Sequence, residues 1–193
     1  MPAGVCVFID RDGTLVEEVG YINHPRRVRL LPRSAKAVRL LNEAGIRAVT
    51  VTNQSGVARG YFSEDVLQAV HAELVAQLET EGAFLDGIYV CPHHPTEGEP
   101  PYRARCDCRK PQPGLLLRAS KDLNLDLSAS YMVGDKIADV EAGCRAGLTP
   151  ILVLTGYGFG EWEYRQAHWS VKPEHIAHDL LDAVEWILER RQT

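Results

Sequence analysis

No apolar run in the chain approaches the roughly 18 residues that a membrane span requires. The opening segment, "MPAGVCVFID", also lacks the basic-then-apolar pattern of a secretory signal. Basic charge is in short supply: 21 Lys and Arg stand against 26 Asp and Glu, a net charge of −5. That balance argues against binding along a nucleic-acid phosphate backbone. There is no Gly-x-x-x-x-Gly-Lys-Ser/Thr loop, internal repeat, low-complexity tract or linker. Cysteine is scarce, at five residues. The expectation is a cytoplasmic protein with no membrane and no nucleic-acid partner, its thiols reduced rather than paired as disulfides. Residues 1–193 are expected to form one domain, large enough to bury a core without staples. No long apolar surface stripe asks for a partner, so a monomer is expected.

What is present is an alternation of two patterns. Continuous apolar or β-branched runs at 4–9, "IRAVTVT", "LDGIYVC", "SYMVGD" and "TPILVLTG" read as strands. Helical spacing occurs at 34–44, from Ser63 to about Thr80, and at 114–123, 137–146 and 174–191. Strands without polar alternation belong to a parallel sheet covered on both faces, a Rossmann-like three-layer α/β fold. Cys6 and Cys144 lie in apolar surroundings and read as small core residues. The tail after Gly156, with Trp162, Trp169 and Trp186, reads as packing.

Ligands of such sheets bind beyond the carboxyl ends of the strands. Asp10 and Asp12 follow the first strand, Thr52 and Asn53 end the second, Asp135 follows "SYMVG", and Lys110 precedes a helix. Three carboxylates brought together repel unless a cation lies between them. Few hard oxygen ligands suit Mg²⁺, so Asp10, Asp12 and Asp135 are its expected ligands. Arg109, Lys110, the Thr52 hydroxyl and the amides of "NQSG" favour an anion. Both characters in one place describe a phosphate-plus-magnesium site. Asp10 is then the candidate nucleophile, forming an aspartyl-phosphate. Asp12 is the candidate acid and base. Lys110 and Thr52 would stabilise charge on the phosphoryl oxygens. Asp139 on its own reads as an acid in a helix's first turn.

Taken together, "FIDRDGT", "VTNQSG", "RKPQPG" and "VGDKIAD" resemble the four ordered motifs of the haloacid dehalogenase superfamily of phosphatases. The resemblance implies the same roles for Asp10, Asp12, Thr52, Lys110 and Asp135, and gives Asp139 a supporting one. Relatives often carry a cap domain. The short stretches between Asp12, Thr52 and Lys110 leave no room for one here, so an uncapped core is expected.

Residues 91–114, "CPHHPTEGEPPYRARCDCRKPQPG", hold six prolines and cannot be helix or sheet for much of their length. Cys91-x-His93, twelve residues, then Cys106-x-Cys108 offer three sulfurs and one nitrogen. That is a closed, structural zinc set, with His94 the rival of His93. Cys108 directly precedes Arg109 and Lys110, so the metal would aim those cations. Binding of roughly 10–16 kcal/mol, as in zinc-dependent peptides, suffices to order a loop with so little to bury.

The zinc loop together with "GYINHP" further resembles a superfamily subgroup that acts on sugar bisphosphates. The likeness implies removal of the C7 phosphate from a heptose 1,7-bisphosphate, in making nucleotide-activated heptose. It implies substrate contacts from Glu18, Val19, Gly20, Tyr21, Asn53, Gln54, Ser55, Arg109 and Lys136. Arg109, a planar fork, suits a second phosphate, although Arg109 and Lys136 also read as surface cations. The basic stretch "HPRRVRLLPR" reads as a solvated face. Two rivals share the chemistry: a histidinol-phosphate phosphatase and a polynucleotide 3′-phosphatase. A third, of another class, is a non-catalytic zinc-stabilised binding module.

Overall fold

The structure is a computed structural model that describes residues 4–191. Among these, six strands form one sheet: β1 (Cys6–Ile9), β2 (Arg47–Asn53), β3 (Gly87–Cys91), β4 (Tyr131–Gly134), β5 (Thr149–Val153) and β6 (His175–Ala177). They pair in parallel, in the order β3-β2-β1-β4-β5-β6. Six α-helices join or flank them: α1 (Ser34–Glu43), α2 (Glu64–Thr80), α3 (Gly114–Leu123), α4 (Ile137–Ala146), α5 (Gly158–Arg165) and α6 (Leu180–Arg190). No separate cap domain is present among the described residues.

β1 is apolar on both sides because both its faces are covered. Val7 and Ile9 pack with Val38 and Leu41 of α1, Val70 and Leu74 of α2, and Val184 and Ile187 of α6. Cys6 and Phe8 point the other way, onto Leu115, Leu116 and Ala119 of α3 and Ala142 of α4. The result is three layers. The chain winds from β1 outward through β2 and β3, then crosses back to β4 beside β1. The strand order therefore reverses between β1 and β4, where an open α/β sheet leaves a crevice for a ligand.

Helix ends follow local chemistry. The Ser63 hydroxyl accepts the Val66 N–H at 3.3 Å, and Glu64 and Asp65 sit in the positive first turn of α2. Two expectations are corrected and one helix is added. The terminal helix starts at Leu180, not 174, because residues 175–177 extend alongside β5 and the Asp179 carboxylate caps the helix by accepting the Asp182 N–H. Residues 158–165 form a helix that glycine content concealed. Cys144 is not a core residue: α4 buries Val140, Ala142 and Gly143 and leaves Cys144 exposed. Cys6 is fully buried. The tryptophans of the tail pack, Trp186 stacking on His175 at 4.6 Å and Trp162 meeting Trp169 edge-on at 6.1 Å. Arg26, Arg27, Arg29 and Arg33 are exposed, a solvated face.

Candidate active site

β1 and β4 end side by side, with Ile9 opposite Val133. The Asp10 N–H extends the ladder by donating to the Val133 carbonyl at 2.9 Å. This sets Asp10 and Asp135 at the crevice together. Gly13, at φ +82°, and Gly156, at φ +55°, close over Asp135 so tightly that a Cβ on either would strike its carboxylate.

Lys110 is buried, and its three ammonium hydrogens are all engaged. They go to Asp10 Oδ1 at 2.8 Å, Asp139 Oδ1 at 2.7 Å and the Val51 carbonyl at 2.8 Å. Burial opposes its charge, but Asp10 and Asp139 outweigh burial and raise its pKa. Asn53 fixes the Lys110 main chain from both sides, donating to its carbonyl and accepting its N–H, each at 3.0 Å. Gln54 Nε2 donates to Thr52 Oγ1 at 2.9 Å and to Asp12 Oδ2 at 2.7 Å. The side chains of Asn53 and Gln54 thus hold other site residues, a use that motif reading missed.

Three buried carboxylates, from Asp10, Asp135 and Asp139, bring ligand atoms within 4.8 Å of one another. Asp12 is not in this group. Its carboxylate is held by Arg11, whose Nη2 lies 2.9 Å from both oxygens. Asp139 Oδ2 accepts the Lys136 N–H at the start of α4. Burial, then Asp10 and Asp139, push Asp135 up to about 8. Burial against the pull of Lys110 leaves Asp139 at about 6. Asp135 Oδ2 accepts the Tyr157 N–H at 2.8 Å, while Oδ1 is buried without a hydrogen-bond partner. An orphaned oxygen among crowded carboxylates fits a divalent cation. Burial first, and then Asp10, raise the pKa of Asp12 against Arg11 and Gln54. That shift suits a group that must carry a proton.

A cavity of about 350 Å³ opens over these groups. Its walls include Asp10, Asp12, Glu18, Gly20, Tyr21, Thr52, Asn53, Ser55, Arg109, Lys110, Lys136 and Asp139, all sequence candidates, together with Ala138 and Tyr157, which were not. Val19 lines a neighbouring depression instead. Tyr157 follows β5, so the strand-end rule that found Asp135 would also have found it. Its ring lies under the Lys136 ammonium at 4.5 Å. Lys136 pairs with Glu18 at 3.1 Å. Burial disfavours its charge, yet Asp135, Asp10 and Glu18 hold its pKa above the ordinary lysine range.

The proline-rich loop brings Cys91, His93, Cys106 and Cys108 together. Cys91 lies 3.6 Å from Cys106, and Cys106 lies 3.3 Å from Cys108, sulfur to sulfur. His93 Nδ1 is 3.3 Å from the Cys108 sulfur. A tetrahedron of Zn–S bonds of about 2.3 Å has edges near these lengths, so the set fits zinc. His94 is outside the cluster, with Nε2 3.0 Å from Arg59 Nη2. Arg109 Nη1 donates to the His93 carbonyl at 3.2 Å, which ties this cation to the loop.

The HAD-hydrolase-like family model matches residues 107–183. The D-glycero-beta-D-manno-heptose-1,7-bisphosphate 7-phosphatase of Pasteurella multocida is 46% identical over 167 residues, 86% of this chain and 90% of that protein. The chain belongs to the heptose-1,7-bisphosphate 7-phosphatase family. A further member, the D-glycero-D-manno-heptose-1,7-bisphosphate 7-phosphatase of Thermosynechococcus vestitus, is 45% identical over 185 residues, covering 94% of each chain. Among solved structures, the D,D-heptose 1,7-bisphosphate phosphatase of B. bronchiseptica, complexed with magnesium and phosphate, superposes with a TM-score of 0.84. It is 33% identical and the match covers 96% of this chain and 99% of that one. The family and its haloacid dehalogenase-like fold agree with the motif reading. The histidinol-phosphate alternative is not favoured.

Proposed function

We propose that this chain is a magnesium-dependent phosphatase that removes the C7 phosphate of D-glycero-D-manno-heptose 1,7-bisphosphate. The observation that carries the reading is the charge arrangement of one cavity. Asp10 lies at its floor, clamped by Lys110, and two further cations, Arg109 and Lys136, stand in its wall. A monophosphate needs only the floor. A second phosphate gives Arg109 a partner for its planar fork, with Lys136, already paired with Glu18, adding positive charge to the same wall.

Both hydrogen bonds to the Asp10 carboxylate, from Lys110 and from the Arg11 N–H, fall on Oδ1. We therefore assign attack to Oδ2. A bond forms from Oδ2 to phosphorus, the bond from phosphorus to the C7 oxygen breaks, and Asp12 gives its proton to the departing oxygen. Asp12 then takes a proton from water as that water attacks phosphorus, freeing Asp10 and phosphate. Asp10, Asp135 and Asp139 would hold magnesium, which when bound would offset negative charge on the phosphoryl oxygens. The Asp12 side chain is reserved for the proton, since Arg11 and Gln54 already hold it away from the carboxylate group. Lys110 and Thr52 remain the fixed donors to the phosphoryl group. The zinc set has no open ligand position and is structural. A monomer formed of one domain is part of this reading. Thiol ligands support a reducing compartment, the cytoplasm.

The test is kcat/KM, with Mg²⁺, on the β- and α-anomers of the heptose bisphosphate and on histidinol phosphate. One anomer is expected to exceed histidinol phosphate by at least about tenfold, near 1.4 kcal/mol of transition-state discrimination. Histidinol phosphate as the better substrate would remove the second-phosphate role of Arg109 and Lys136.

A further inference from the structure

Arg11 lies between the two motif aspartates and is 1% exposed, although nothing in a phosphatase mechanism calls for a buried arginine at that point. Its Nε and Nη2 are directed at Asp12, at 3.2 Å and 2.9 Å. Its Nη1 lies 3.0 Å from Nε2 of His71, a residue 60 positions away on α2. A guanidinium has donors only, so His71 Nε2 is the acceptor and the ring proton sits on Nδ1. Burial, and then the Arg11 charge, lower the His71 pKa to about 3, which keeps the ring in this accepting form. His71 does not line the catalytic cavity; it faces a separate space beside Glu64, Leu67 and Pro92. Any effect it has on the chemistry must pass through Arg11.

We propose that His71 is a positioning residue for proton transfer: it anchors the third side of the Arg11 guanidinium so that the other two sides hold the Asp12 carboxylate in one orientation. The proposal rests on the reading of Asp12 as the acid. An unpaired N–H on a buried guanidinium is expensive, so without His71 the arginine would turn toward other acceptors. Asp12 would then lose its bidentate frame. Asp10 and Lys110 keep their contacts, because the Arg11 main-chain N–H and the Lys110 ammonium reach Asp10 Oδ1 without the guanidinium.

The signature is dependence on the leaving group, because a poor leaving group needs its proton and a good one does not. kcat/KM reports the step in which that group departs. It is measured on the heptose bisphosphate, whose leaving group is an alkoxide, and on p-nitrophenyl phosphate. His71→Leu is expected to lower kcat/KM for the sugar by about tenfold more than for the aryl ester, a part of the roughly 10²–10⁴-fold that general acids contribute. Asp12→Asn is expected to show the same selectivity more strongly. His71→Gln, which keeps an acceptor, recovers most of the loss. Should His71→Leu not fold, His71→Asn replaces it, being polar but one methylene shorter than Gln; it is expected to show the selective loss that Gln does not. Equal losses on both substrates in the Leu or Asn variant, beside a selective Asp12→Asn, would overturn the role of His71. Absence of selectivity in Asp12→Asn would overturn the acid assignment, and the proposal with it.

Discussion

Two arginines flanking the site differ in how far their charge is spent. Arg11 is buried and committed to Asp12 and His71, whereas Arg109 is half-buried, with one bond to a backbone carbonyl. The buried pair has a consequence for stability. The folded pKa of His71 is about 3, against 6.5 ordinarily. Above pH 6.5 both folded and unfolded chains leave this ring neutral. As pH falls from about 6.5 toward about 3, the unfolded chain gains a proton that the fold refuses. Stability from this group is therefore lost on acidification, by up to about 1.4 kcal/mol per pH unit. Urea midpoints at pH 7 and pH 5 test this. His71→Gln is expected to decline less than the wild type over that interval, and parallel declines would contradict it. The candidate nucleophile Asp10 and the candidate acid Asp12 are legible in "FIDRDGT" because they follow an apolar run. The Arg11–His71 contact is not legible. It depends on which way two side chains turn across 60 positions, and no local pattern encodes that.

At the scale of elements, strand ends were the readable feature. A parallel sheet sends all its carboxyl ends to one edge, so Asp10, Thr52 and Asp135 had to approach one another. The sixth strand was not readable, being only three residues long and directly followed by a capped helix. Asn53 and Gln54 were expected near substrate; their side-chain amides also hold Lys110, Thr52 and Asp12, and Asn53 lines the cavity. Sequence motifs mark that such residues matter without showing what they touch. The Cys/His cluster was legible from its four residues, which the structure brings together, and its proposed link to the cations from Cys108 beside Arg109. The structure adds the bond from Arg109 to the His93 carbonyl. Stripping this metal with a thiophilic chelator is expected to lower Tm. With Mg²⁺ restored, it is also expected to reduce kcat/KM on the bisphosphate by roughly tenfold or more, the worth of a charged hydrogen bond, with a smaller loss on p-nitrophenyl phosphate. Equal losses on the two substrates would mean that the loop stabilises the fold without aiming Arg109.

For the whole molecule, one reversal of strand order decides where chemistry happens. β1 and β4 meet there, both apolar on two faces, and the first residues beyond their ends are acids that burial would not tolerate unaided. Lys110 offsets part of that charge, and the Asp135 oxygen without a hydrogen bond is where the proposed cation would complete the balance. With no cap among the described residues, the flap around Glu18 and Tyr21 and the zinc loop around Arg109 form the walls instead. In the proposed mechanism all of this serves one covalent event at Asp10. The most direct measurement is mass spectrometry of enzyme quenched in acid within the first turnover, the wild type mixed with heptose bisphosphate and Asp12→Ala, which slows release, mixed with p-nitrophenyl phosphate, whose departure needs no proton. A phosphoryl group on the peptide containing Asp10, absent in Asp10→Asn, is the expected result. Turnover by the wild type with no label on that peptide at any time, in either background, would contradict it.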